Sequence, residues 1–192
     1  INVTGDIFLG GRIESLTKEN AASVFDHGLV DLFVKSQLNI VNLEGCLSDA
    51  GNEHCIIKNG PHIKAAPHTI ELLKVLKINL ATLANNHIYD FGSKGLADTL
   101  NTCAAHNIST VGAGLSLGDA SKIFIKKIQT VRLPIIIYDN LQAFVPHILV
   151  NAGAISYIQL YTIVYSLIHF NYFLVAMLFS HNPFKFFHIS KI

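Results

Sequence analysis

Apolar and polar positions alternate in two rhythms over the first two-thirds of the chain. Asn2 to Leu9 reads as a short strand that runs into Gly10-Gly11. Residues 18–35 carry Val24, Leu29, Val30, Phe33 and Val34 among charges, the pattern of an amphipathic helix. Leu38 to Leu43 is a second strand, closed by Glu44-Gly45. Residues 46–66 are polar and irregular, a long loop with room for a hairpin. Pro67 opens a helix whose apolar side is Ile70, Leu72, Leu73, Val75 and Leu76. Ile78 to Ala84 is a third strand. A helix capped by Ser93 runs to about His106, and Ile108 to Val111 is a fourth strand. A helical turn over 116–122 and strands at Ile123–Ile128 and Leu133–Tyr138 follow. Strand alternating with helix at this spacing predicts parallel βαβ units and an α/β fold.

Composition divides the 192 residues into two unequal parts. Of 27 charged residues, 23 lie in 1–127, and none occurs from Asn140 to Phe184. The last 55 positions hold 12 of the 18 aromatic residues. The expected organisation is one domain segment over 1–138 and a divergent apolar tail over 139–192. A net charge of +1 provides no field for nucleic acid, which is excluded as a partner. Cys46, Cys55 and Cys103 are too few and too scattered for a disulfide framework or a zinc finger. Ile1 comes first and Met177 is the only methionine, so the start is read as processed, trimmed or missing.

Parallel sheets collect their chemistry outside the carboxyl ends of the strands. There the first strand delivers Asp6, the second Asn42 and Glu44, and the third Asn85-Asn86-His87 followed by Asp90. Singly, each has an ordinary explanation as a turn former, a cap or a hydrogen-bonded core histidine. Together, at three consecutive strand ends, carboxylate, amide oxygen and imidazole make a ligand set suited to Mn, Fe, Zn or Mg. Two neighbouring ions could bind a phosphate ester and activate water. His54, His62, His68 and His106 lack ligand spacing; of these His62 has the best chance of reaching the strand ends.

Six phrases occur in order: Gly-Asp-Ile-Phe-Leu-Gly-Gly (5–11), Asn-Leu-Glu-Gly (42–45), Lys-Asn-Gly-Pro-His-Ile (58–63), Leu-Ala-Asn-Asn-His-Ile-Tyr-Asp-Phe-Gly (83–92), Gly-Leu-Ala-Asp-Thr-Leu (95–100) and Val-Gly-Ala-Gly (111–114). Over residues 2–128 the chain resembles the CapA family of bacterial capsule and poly-γ-glutamate synthesis proteins. That family is similar to the calcineurin-like metallophosphoesterases. The resemblance implies a sandwich of two sheets flanked by helices, incomplete at the C-terminus. It implies a metal set of Asp6, Asn42, Glu44, Asn86 and His87, with His87 also contacting a phosphoryl oxygen and Asp90 orienting His87.

The pattern then departs from the family's. A His-Trp-Gly-type motif is absent, because the chain has no tryptophan. Val145-Pro146-His147 is the nearest trace of the family's Gly-His-His-Pro-His, which leaves His147 as the remaining candidate ligand. Residues 154–179 contain no Asp, Glu, Lys or Arg and are long enough to cross a bilayer. Gln159, His169 and Asn171 argue against that placement. An eroded C-terminal half, or a shifted reading frame, accounts better for the segment. Its expected behaviour is poor packing, or docking as an apolar element on an open sheet edge.

The resemblance implies a protein of capsule or poly-γ-glutamate biosynthesis or export in the bacterial cell envelope. It would act, if active, as a metal-dependent phosphoesterase-like hydrolase on a phosphate-like or polyanionic ligand. The alternative is a non-catalytic envelope assembly or binding protein with a relic metal motif. A membrane partner stays open, through the tail or through an N-terminal anchor. A doubly wound nucleotide-binding domain fits poorly, since Gly10-Gly11 and Gly112-Ala113-Gly114 lack the Gly-x-Gly-x-x-Gly pattern.

Overall fold

Four short parallel strands, each followed by a return segment, organise the chain. The computed structural model describes residues 1–128, 131–139 and 175–179, with side chains over 1–128 and at Pro134 and Ile135. The strands are β1 (Asn2–Ile7), β2 (Asn39–Leu43), β3 (Cys46–Leu47), β4 (Lys64–Ala65), β5 (Leu80–Thr82), β6 (Ser109–Val111), β7 (Phe124–Ile128), β8 (Val131–Asp139) and β9 (Val175–Phe179). The helices are α1 (Arg12–Asn20), α2 (His27–Val34), α3 (Ile70–Val75), α4 (Gly92–Ala105) and α5 (Leu117–Ala120). The main sheet has the order β1-β2-β5-β6, every pair parallel. A second sheet, β7-β8-β9, joins an antiparallel pair to a parallel one, and β3 pairs with β4 in a two-stranded ladder.

The alternation of side chains along β2 and β5 explains the layering. Val41, Leu43, Ala81 and Leu83 belong to one core with Leu72, Leu73 and Leu76 from the α3 segment and Leu96 and Cys103 of α4. Leu38, Ile40 and Leu80, one residue out of step, join Val111 and Ile135 in a second cluster on the opposite face. Phe124 and Ile128 of β7 pack against that second cluster. Both faces of the central strands are therefore covered, as an apolar parallel sheet requires. The α/β layering matches the expected fold class.

Four local expectations need correction. The single helix over 18–35 is two helices joined by a short 3-10 turn, Ala21–Ser23. Asn20 accepts a hydrogen bond from the Ala22 amide and Asp26 accepts one from Gly28, so each new turn starts on its own cap. The 46–66 loop holds no hairpin; β3 and β4 run parallel. Ser93 does not cap α4, whose flanking residue is Phe91 with no side-chain cap. The chain instead enters through a tight turn in which the Gly92 amide donates to the Tyr89 carbonyl. The third strand is shorter than its apolar run, because the Ile78 amide turns back to the Leu73 carbonyl.

The last five residues of the 154–179 run form β9, paired with β8, so that run is not one continuous helix. Residues 154–174 lie outside the described residues. Among the described residues no helix is long and apolar enough to cross a membrane.

Candidate functional site at the strand ends

An irregularity in β1 sets the site. Val3 pairs with Ile40 but Asp6 pairs with Asn42, so Thr4 and Gly5 together stand opposite Val41 alone. That extra residue brings Asp6 rather than Gly5 opposite Asn42, the re-aiming that a bulge near a functional site provides. Gly5 has open space where a side chain would stand. Asp6 is exposed while Asn42 is buried.

Asn42 is the first junction of a hydrogen-bonded chain that crosses three strand ends. Its amide donates to Asp6 Oδ1 at 2.6 Å. Its Oδ1 accepts from Thr82 Oγ1 at 3.0 Å and from Asn85 Nδ2 at 3.4 Å. Asn85 also donates to the Leu43 carbonyl at 2.9 Å, and its Oδ1 accepts from the His87 amide at 3.1 Å. His87 Nδ1 lies 2.8 Å from Asp90 Oδ2. Asp90 is fully buried and also accepts from the Ile63 amide at 2.8 Å and from Lys58, through its other oxygen. A buried carboxylate is stable only with such a set of donors and a countercharge.

The 48–63 loop reaches this chain from the other side. The Ile56 amide donates to the Asp90 carbonyl at 3.1 Å, and His62 Nε2 donates to the Ile56 carbonyl at 2.7 Å. His62 also meets the Phe91 ring edge-on at 6.2 Å. Lys64 donates to the Ala50 carbonyl and lies 4.9 Å from the centroid of that same ring. The cysteines are free. Burial pushes the Cys46 and Cys103 thiols up to about 12, Asp90 adding to the effect at Cys46, so both are packing groups and not nucleophiles.

Of the sequence-derived candidates, Asp6, Asn42, His87 and Asp90 lie on this continuous chain. Glu44 is half-buried and is held by its backbone amide on the Ile7 carbonyl at 3.0 Å. Asn86 is exposed. Among the described residues neither Glu44 nor Asn86 has a side-chain hydrogen bond. His147 lies outside the described residues. The metal set that the resemblance implies omits Asn85, Thr82 and Lys58, although Asn85 stands at the same strand end and Lys58 opens one of the six phrases.

The donor types suit a divalent ion, with a carboxylate, amide oxygens and an imidazole whose Nε2 has no hydrogen bond among the described residues. Their number is short. Among the described residues no three His, Cys, Asp or Glu side chains come together to hold a metal. The Asn42 amide is also committed at both ends. The described residues offer donor types that suit such an ion without a cluster of three that could hold one.

Comparison with known proteins agrees with this architecture. A CapA from Bacillus subtilis, named a PGA biosynthesis protein, is 31% identical over 118 residues, 62% of this chain and 31% of that protein. The capsule biosynthesis protein CapA of Bacillus anthracis is 29% identical over 137 residues, 69% of this chain and 33% of its own. A probable polyglutamine synthesis accessory protein of Mycobacterium tuberculosis is 45% identical over 51 residues, 27% of this chain and 13% of that protein. The chain thus covers about a third of the length of the two Bacillus relatives. The model of the bacterial capsule synthesis protein PGA_cap family matches residues 1–149. That match takes in all four strands of the main sheet and the whole hydrogen-bonded chain across their ends, and the protein belongs to the PGA_cap family.

Proposed function

We propose that this protein serves in capsule or poly-γ-glutamate biosynthesis in the bacterial cell envelope, beside the synthesis machinery. We further propose that its strand ends form part of a divalent-metal, phosphoesterase-type site. The observation that carries the site is the continuous hydrogen-bonded chain from Asp6 to Asp90, built from three consecutive parallel strand ends. The names of the relatives support the biosynthetic role. Asp6, Glu44, Asn86 and His87 would hold the ion (Mn, Fe, Zn or Mg), with His147 as a further ligand, and Asn42 would join them only by giving up its bonds to Thr82 and Asn85. When bound, the ion would neutralise phosphoryl charge and make water a better nucleophile at neutral pH.

The chain's own residues have definable work in this reading. Asp90 holds His87 by Nδ1, which leaves Nε2 for a ligand and fixes the plane of the ring. A ring held in place can stabilise charge that develops on a phosphoryl oxygen without reorganising first. Asn42 and Asn85 keep the strand ends in register around it. The ligand class is a phosphate ester or another polyanion.

One observation favours a second reading, a non-catalytic assembly or binding role in the envelope. The metal-type donors of the described residues are incomplete, and the Asn42 amide among them is committed to Asp6, Thr82 and Asn85. Hydrolysis of bis(p-nitrophenyl) phosphate by the full chain separates the two. The expected result is slow turnover that needs added Mn and disappears with EDTA. No turnover at any Mn concentration favours the second reading.

A further inference from the structure

Lys58 sits where two alternatives for His87 meet. Its Nζ bonds Asp90 Oδ1 and lies 3.2 Å from His87 Nδ1, while Nδ1 lies 2.8 Å from Asp90 Oδ2. Nδ1 can carry a proton and donate to Asp90, or present a lone pair and accept from Lys58. The second choice would set a lone pair against a carboxylate oxygen at 2.8 Å, which is repulsive. Lys58 supplies the positive charge that the fully buried Asp90 needs, and its side chain is itself only 14% exposed. Among the described residues it is the only lysine or arginine paired with Asp90. A charge-compensated carboxylate can only accept, so the ring proton belongs on Nδ1.

We propose that Lys58 is a positioning residue that sets the tautomer of His87 through Asp90, leaving Nε2 bare as the nitrogen that meets a metal or a phosphoryl group. The assignment rests on His87 being a site residue, as proposed above. It makes the 48–63 loop part of the site: Lys58 and the Ile63 amide take separate oxygens of Asp90, so the loop and the ring are fixed by one carboxylate. Lys58 touches no reacting atom in this scheme and acts only through Asp90 and the ring.

The test is long-range proton–nitrogen correlation on the 15N-labelled full chain, at alkaline pH where imidazoles are neutral. The wild type should give one tautomer for His87, with Nδ1 protonated and Nε2 bare. Lys58→Met and Lys58→Gln should both lose this single pattern and give nitrogen shifts averaged between tautomers. Lys58→Arg should restore it. Gln keeps a hydrogen-bond donor and lacks the charge, so it carries the test if the Met variant does not fold. A wild-type ring protonated on Nε2, or neutral variants that keep the wild-type pattern and lose only thermal stability, would overturn the proposal. Where Mn-dependent hydrolysis is measurable, kcat should fall roughly tenfold in Lys58→Gln and recover in Lys58→Arg, the size expected for a partner behind a ligand. A chain with no hydrolysis at all removes the catalytic reading while leaving the ring measurement decisive for Lys58.

Discussion

Replacing His87 by Ala is expected to lower kcat for Mn-stimulated phosphodiester hydrolysis by roughly 10²–10³, the loss typical of one preorganised electrostatic stabiliser. Stability should fall modestly. The side chain of His87 is 14% exposed, so its removal costs some packing at the strand end. Asp90 loses one hydrogen bond and keeps Lys58 and the Ile63 amide, a cost of about 1–2 kcal/mol. Kinetics paired with urea denaturation check both halves. Unchanged kcat with a large stability loss would assign His87 to structure instead of chemistry.

Asp90→Ala should behave in the opposite proportion, with the largest stability loss of any single change at the site. The carboxylate is fully buried and joins a cation, an imidazole and a backbone amide. Its removal leaves Lys58 without its partner and the Ile63 amide unsatisfied. Breaking a buried pair in this way costs about 3–5 kcal/mol. Lys58 is 14% exposed and recovers some hydration, which places the expected loss near ~3 kcal/mol. The urea midpoint should fall with an unchanged slope, since the surface exposed on unfolding stays the same. Hydrolysis should fall as well, because His87 loses the acceptor that orients it. A stability change under ~1 kcal/mol would mean that the pair contributes little to the folded state.

Both His87 and Asp90 are legible in the amino-acid sequence, and the reason is topological. In a parallel sheet, polar residues just past the strands share one edge whatever the loops do. Asp6, Asn42 and His87 follow from that rule, with Asp90 in the same turn as His87. The choice between Asn85 and Asn86 does not. Adjacent side chains in a turn point in different directions, and only the fold shows that Asn85 reaches the Leu43 carbonyl while Asn86 is exposed. Lys58 is hidden by distance along the chain, since its partner Asp90 is 32 residues away across an irregular loop. The β1 bulge leaves only Gly5 as a trace. The division of the 18–35 segment is readable in principle. Asn20 and Asp26 are both good capping residues, yet the apolar spacing across them hides the break.

Helix faces explain the better-read parts. The apolar stripe Ile70, Leu72, Leu73 and Leu76 packs as its spacing requires, and all four side chains are buried. The second cluster, with Ile135 fully buried on the far face of the sheet, depends on how the β7–β8 pair docks against the main sheet, which no local pattern encodes.

Paramagnetic broadening by Mn of the amide signals of the 15N-labelled full chain tests the strand-end site most directly. Selective broadening at residues 6, 42–44 and 85–87, growing with Mn, reversed by EDTA and weakened in Asp6→Asn, is the expected result. The binding should be weak, because no three His, Cys, Asp or Glu side chains come together among the described residues. Broadening centred on surface acids such as Glu53, or none at the strand ends at high Mn, would contradict a divalent-metal site there.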